Sequence, residues 1–183
     1  MKKAVVFFAN GMEECEALLI VDLLRRGGVN AVTAAVGGSR EIVSSHQIPI
    51  QADTLAEDVT YSDADMVVLP GGMPGTLNLE ASEAVKQAVL DFAGGGKKVA
   101  AICAAPSILG HLGLLKGKSA TSYVGMRDQL EGATVLDQEV VVDGNITTSF
   151  GLGGAIPFAL ELVRQLSGNQ VSDRVRQDIE YLH

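Results

Sequence analysis

The stretch Lys97-Lys98-Val99-Ala100-Ala101-Ile102-Cys103-Ala104-Ala105-Pro106-Ser107-Ile108-Leu109 reads as a buried strand that ends on a cysteine and turns at once into a helix. Val99 to Ile102 are apolar with no polar alternation, the pattern of a strand covered on both faces. Pro106 suits a first helical turn, where its missing N–H removes no hydrogen bond. A thiol at such a corner lies near unpaired N–H groups, which favour negative charge and are expected to lower its pKa. Two readings of Cys103 stand at this point: a reactive thiolate, and a small buried hydrophobe of the kind free cysteines often are.

Outward from this corner, the same strand-then-helix grammar repeats. Ala4 to Phe8 form an apolar run followed by Asn10-Gly11 and a helix from about Glu13 to Arg26, with acids in its first turn, Arg25 and Arg26 in its last, and Gly27-Gly28 as a stop. The middle of that helix, Ala17 to Val21, is apolar nearly all round, which points to a subunit interface as well as a sheet contact. Asn30 to Val36 read as a second strand, Glu41 to Gln51 as a small antiparallel excursion, and Asp65 to Leu69 as a third buried strand stopped by Pro70-Gly71-Gly72. Ser82 caps a helix with Val85, Ala88, Val89 and Phe92 on one face. Beyond the Cys103 helix, Asp143-Gly144 is a hairpin turn between strands near 139–142 and 146–149, a helix spans about 155–166, and a last helix aligns Val171, Val175, Ile179 and Leu182. The alternation predicts an α/β fold, a three-layer α/β/α sandwich with a mainly parallel sheet, over residues 1–183 as a single domain.

Composition narrows the function classes. A formal charge of −8 with scattered Lys and Arg provides no basic stripe, so nucleic acid is not an expected partner. Met1-Lys2-Lys3 and the apolar run after it imitate a signal peptide, but the run is too short, lacks a cleavage site and meets Glu13 and Glu14. No stretch reaches membrane-spanning length. With Cys15 and Cys103 the only cysteines, the expected location is a reducing cytoplasm without a structural disulfide. Cys15 lies about 100° around the helix from Glu16 and is expected in the core or a dimer contact.

Parallel sheets bind ligands beyond the carboxyl ends of their strands, so the segments 10–16, 70–76, 103–106 and 150–154 should converge. They bring a thiol, several carboxylates and glycine-rich backbone. The N–H groups of Gly71-Gly72, with that of Ala104, are candidates for an oxyanion hole, although two glycines also make an ordinary turn. Gly151-Leu152-Gly153-Gly154 imitates a dinucleotide fingerprint but lacks its third spacing and any later strand for a ribose-binding acid. Gly71 to Thr76 lacks the lysine of a phosphate loop, and the cysteines with His46, His111 and His183 show no ligand spacing, so neither cofactor nor metal is expected. His111 would sit roughly 12 Å along the helix from Cys103, His183 ends the chain, and His46 alone lies in a segment that can approach the crevice.

Val67-Val68-Leu69-Pro70-Gly71-Gly72, Ala100-Ala101-Ile102-Cys103-Ala104-Ala105-Pro106, and Gly11-Met12-Glu13-Glu14-Cys15-Glu16 ahead of Val21 to Gly28 together resemble the ThiJ/PfpI superfamily, closest to the branch of the parkinsonism-associated protein deglycase and its bacterial relatives. The resemblance runs in order over nearly the whole chain. It implies a flavodoxin-like sandwich, a homodimer, a reactive cysteine at a nucleophile elbow, and a glutamate from the first loop beside it, by position Glu16. Where many members carry a histidine about twenty residues past the cysteine, this chain has Tyr123, a candidate for that place in the site. The histidine that protease-like relatives have directly after the cysteine is Ala104 here, which argues against an amidase or peptidase. The resemblance implies a cofactor-free, Cys103-dependent enzyme of glyoxalase or deglycase type, acting on methylglyoxal, glyoxal or their early adducts. The alternative is a peroxide-responsive redox sensor or chaperone working through oxidation of Cys103. Glu16 itself has two readings: proton donor to the sulfur, or simple dipole compensation at a helix start.

Overall fold

A computed structural model describes residues 1–182. In chain order the elements are β1 (Lys3–Phe8), α1 (Glu14–Arg26), β2 (Asn30–Ala35), β3 (Glu41–Val43), β4 (Pro49–Gln51), β5 (Thr54–Leu55), β6 (Met66–Leu69), α2 (Gly75–Ala81), α3 (Glu83–Gly94) and β7 (Lys98–Ile102). There follow α4 (Pro106–His111), β8 (Ser119–Ala120), β9 (Thr134–Val135), β10 (Val140–Asp143), β11 (Ile146–Ser149), α5 (Ala155–Ser167) and α6 (Asn169–Asp178).

Seven strands form the main sheet in the order β10-β11-β7-β6-β1-β2-β5. All neighbours pair parallel except β10 and β11, which form the antiparallel hairpin expected around Asp143-Gly144. The unbroken apolar runs follow from this: on β1, Ala4, Val6 and Phe8 enter the core under α1 and α5, while Val5, Phe7 and Ala9 enter the core on the opposite face with α3 and α4. β7 divides likewise, with Ala100 and Ile102 on the first face and Val99 and Ala101 on the second. Period-2 side-chain alternation in a sheet buried on both sides demands apolar residues at every position. The expected α/β sandwich with a mainly parallel sheet is therefore the observed one.

Some boundaries moved. Glu13 is the cap of α1 and not its first residue, because its carboxylate accepts the Glu16 N–H at 2.6 Å. Ser82 caps α3 as read, accepting from Val85 N. The segment 41–51 is the expected antiparallel excursion, β3 with β4. Leu182 does not join the face of Val171 and Val175: α6 stops at Asp178 and Leu182 is 87% exposed. Much of the apolar excess of α1 is absorbed inside the chain, where Ala17, Ile20, Val21 and Leu24 pack in one cluster with Phe158, Leu162 and Val163 of α5. Leu18 remains exposed.

The strand order reverses between β1 and β6: the chain goes outward from β1 to β2 and β5, then returns to β6 and β7 on the other side. Loops leaving β1, β6 and β7 thus open on one crevice. They are locked together. Glu13 N donates to Gly71 O and Gly75 N to Gly11 O, and a β-carbon on Gly72, at φ +91°, would fall 2.2 Å from Glu13 N. Behind the elbow, α4 presses on the 3₁₀ turn 124–129, so that a β-carbon on Gly110 would lie 2.3 Å from Gln129 O. Gly110→Ala is expected to lose about 1–3 kcal/mol in denaturant unfolding through overpacking against rigid backbone. Wild-type stability in that variant would contradict the packing described.

Candidate functional site

Cys103 follows the last residue of β7 and adopts φ +64°, the left-handed region that few residues other than glycine visit. Two backbone hydrogen bonds hold it there: Cys103 N donates to Ser149 O at 2.9 Å, and Tyr123 N donates to Cys103 O at 2.8 Å. The strained turn lifts the side chain out of the sheet, and Pro106 starts α4 three residues on. The sequence showed the strand and the helix; the backbone strain between them has no signature in residue type.

Glu16, in the first turn of α1, is buried and directs its carboxyl at this sulfur. One oxygen, Oε2, accepts from Gly71 N at 3.0 Å. The N–H groups of Gly72 and Ala104 are also aimed at Cys103. The segments expected to converge do so: Gly72 and Ala104 are brought to Cys103 as the parallel-sheet rule predicts, and Glu16 as the family resemblance implies. Gly71, a candidate oxyanion donor beside Gly72, instead gives its N–H to Glu16, and both it and Gly151, read only as part of a turn, border the pair. A β-carbon on Gly71 would fall 2.5 Å from Cys103 Cβ and 2.8 Å from Glu16 Oε2, and one on Gly151 would fall 3.7 Å from Cys103 Sγ. Tyr123 is joined to Cys103 through its backbone N–H, while its ring is half exposed to solvent.

The electrostatics correct one expectation. The corner does not by itself leave Cys103 with a low pKa. Burial first, then the charge and hydrogen bond of Glu16, push the thiol up to about 12, against the pull of the Gly72 and Ala104 N–H groups. Burial likewise raises the Glu16 carboxyl to about 7, against hydrogen bonds from Cys103 and Gly71. With the carboxyl at about 7 and the thiol at about 12, the pair binds two protons below about pH 7 and one above it, and a thiolate exists only to the extent that Glu16 carries that remaining proton.

No described histidine takes the place of the missing base. His46, in the turn between β3 and β4, lies 2.7 Å from the Glu14 carboxylate. Although burial opposes ionisation of Glu14, hydrogen bonds from its own backbone, Ser44, Ser45 and His46 hold it at about 2. His111 binds Glu80 of α2 and Gln129. His183 lies outside the described residues. Cys15 is exposed, not in the core. Among the described residues, Glu13, Glu14 and His46 are the one His/Cys/Asp/Glu group close enough to suggest a cation, with ligand atoms within 4.8 Å of one another. Glu13 Oε2 there already serves the cap of α1, and His46 Nδ1 already pairs with Glu14 Oε1. Among the described residues, no helix is long and apolar enough to cross a membrane.

A thiol on a strained strand-to-helix turn, with a buried carboxyl on its sulfur, defines the class, and the chain belongs to the DJ-1/PfpI family: residues 2–165 match the family model. Among its relatives, Protein dj-1beta of Drosophila melanogaster is 38% identical over 180 residues, covering 97% of this chain and 96% of that one. Deglycase PfpI of Pyrococcus furiosus is 34% identical over 169 residues, 90% of this chain and 99% of the relative. The structure of oxidized Toxoplasma gondii DJ-1 superposes with a TM-score of 0.96 at 33% identity over the full length of both chains.

The raised carboxyl yields a signed expectation. The native state favours protonated Glu16, so its contribution to stability is fully present below the ordinary value of 4.5 and is lost as pH rises through about 7. Glu16→Gln, which keeps an acceptor for Gly71 N but carries no charge, should gain stability relative to the native chain across that window and hold a constant difference above it. Thermal melts from pH 4 to 9 measure this; parallel curves for the two proteins would refute the assignment.

Proposed function

We propose that the protein is a cysteine-dependent, cofactor-free enzyme that converts small reactive carbonyls, methylglyoxal and glyoxal or their early adducts, to hydroxy acids. The observation that carries the proposal is the buried Glu16 carboxyl hydrogen-bonded to Cys103 while the Gly72 and Ala104 N–H groups point at the same sulfur. An oxygen on a carbon bonded to that sulfur falls within reach of those donors, as an oxyanion hole requires.

The chemistry balances without a redox partner. With the shared proton on Glu16, the thiolate adds to the aldehyde carbon; the carbonyl π pair moves to oxygen, which the N–H groups hold and Glu16 protonates. The resulting carboxylate removes the hydrogen from that carbon, whose electron pair shifts toward the neighbouring ketone to give an enediolate; the hydrogen is returned to the formerly ketonic carbon, and the hydroxyl proton passes to that carbon's oxygen. This leaves a thioester on Cys103. Water cleaves the thioester, releasing the hydroxy acid and restoring the thiol. A group that alternates between acid and base works best with a pKa near the working pH, and burial brings Glu16 there. Membership of a family that includes a deglycase supports the substrate class. In this reading the protein works in the cytoplasm as a homodimer, with exposed Leu18 on α1 available to the partner, and Tyr123 orients substrate and does not act as base.

A second reading rests on the same donors. A sulfinate on Cys103 would accept a hydrogen bond from protonated Glu16 and from both N–H groups, so oxidation by peroxide would be arrested at that stage. It predicts a gain of two oxygens at Cys103 under mild peroxide that Glu16 variants fail to retain.

For the catalytic reading, Cys103→Ser should abolish lactate formation from methylglyoxal with the melting temperature preserved. Glu16→Gln should lower kcat by about 10²–10⁴. Unchanged turnover in the serine variant sinks the proposal.

A further inference from the structure

Three exposed apolar residues lie on three separate segments whose backbone borders Cys103: Met73 at 46% exposure, Tyr123 at 52% and Leu152 at 50%. Single exposed apolar residues are ordinary. These three share a placement. Met73 follows Gly72, whose N–H is aimed at Cys103; Tyr123 donates its N–H to Cys103 O; Leu152 follows Gly151, where a β-carbon would lie 3.7 Å from Sγ. Each is one residue, or none, from backbone that borders the thiol.

Charge is arranged just as consistently. The segments 10–16, 70–76, 103–107, 120–124 and 149–154 contain Glu13, Glu14 and Glu16 but no Lys or Arg. Of the cationic groups beside these segments, His46 is engaged with Glu14, and Arg127, in the turn after Tyr123, is engaged with Asp137. An anionic ligand therefore meets carboxylates and finds no countercharge, a combination that lowers its local concentration. An alkyl or aryl group, in contrast, can cover the exposed faces of the three side chains. Room beside the sulfur is left by Gly151, which has no side chain to fill it.

We infer that the entrance to Cys103 selects neutral carbonyl compounds bearing an apolar substituent, bound by Met73, Tyr123 and Leu152, and disfavours anionic ones such as oxo acids or acidic thiol adducts. The inference rests on the carbonyl reading of the site for its substrate class, but the selectivity is a property of the entrance and is measured without turnover.

In a Cys15→Ser background, which removes the other exposed thiol, the alkylation rates of Cys103 by iodoacetate, iodoacetamide and N-benzyliodoacetamide are followed by intact mass and normalised to the rates of free cysteine. The benzyl reagent is expected to be favoured over iodoacetamide, and iodoacetamide over iodoacetate. Leu152→Ser and Met73→Ser should each reduce the benzyl preference by about fivefold, the scale of a partly covered apolar side chain, with the iodoacetamide rate unchanged. Normalised rates equal to those of free cysteine, a preference for iodoacetate, or a benzyl preference untouched by both substitutions would overturn the inference. Methylglyoxal and phenylglyoxal turnover is assayed on the same proteins: a selective entrance on a protein that turns over neither compound removes the carbonyl reading and leaves the selectivity standing.

Discussion

The left-handed turn at Cys103 is the constraint from which the remaining geometry follows. A cysteine at φ +64° is held against its preference by Ser149 O on one side and Tyr123 N on the other. Strand β11 and the segment leading to Tyr123 must therefore be in place before the thiol can stand above the sheet. Strain of this kind persists only where the surroundings overdetermine it. Here they do: the parallel pairing of β7 with both β6 and β11 buries the strand on both edges, and the apolar clusters bury it on both faces.

Given that turn, the chemistry is set by desolvation more than by any single charge. The same burial that raises Glu16 also raises Cys103, so neither group ionises independently of the other. A protease-like site solves the problem with an imidazole. This one uses a carboxyl close enough to share the proton, and peptide N–H groups that carry no charge and need no titration.

Most of the fold was legible because a sheet covered on both faces writes itself as short apolar runs, and Val67–Leu69 and Val99–Ile102 are such runs. Caps and turn glycines fixed where helices began and ended. The convergence of Glu16, Gly72 and Ala104 on Cys103 followed from one rule about parallel sheets and from the family resemblance. Less could be read where the cause is three-dimensional. The thiol pKa depends on solvent exclusion, which no residue string records, and the helix-start argument missed its sign. Helical periodicity carried Leu182 into a helix that ends earlier. His46 was a candidate near the crevice, but only the fold of β3 and β4 shows that its partner is Glu14. Gly71 looked like half of a turn; its close approach to both members of the pair is a matter of packing.

The interlocked glycine loop after β6 divides its own positions into two kinds. At Gly71, Gly72 and Gly75 the space for a side chain is already occupied by Cys103, Glu13 and Met12, whereas Met73 between them projects into solvent. Mutational drift in this loop is thus confined to the outward pair Met73 and Pro74, flanked by positions that tolerate nothing larger than hydrogen. On the inferred role of Met73, reactivity and substrate preference become separately heritable traits, and a lineage can retune what it accepts without disturbing how it reacts.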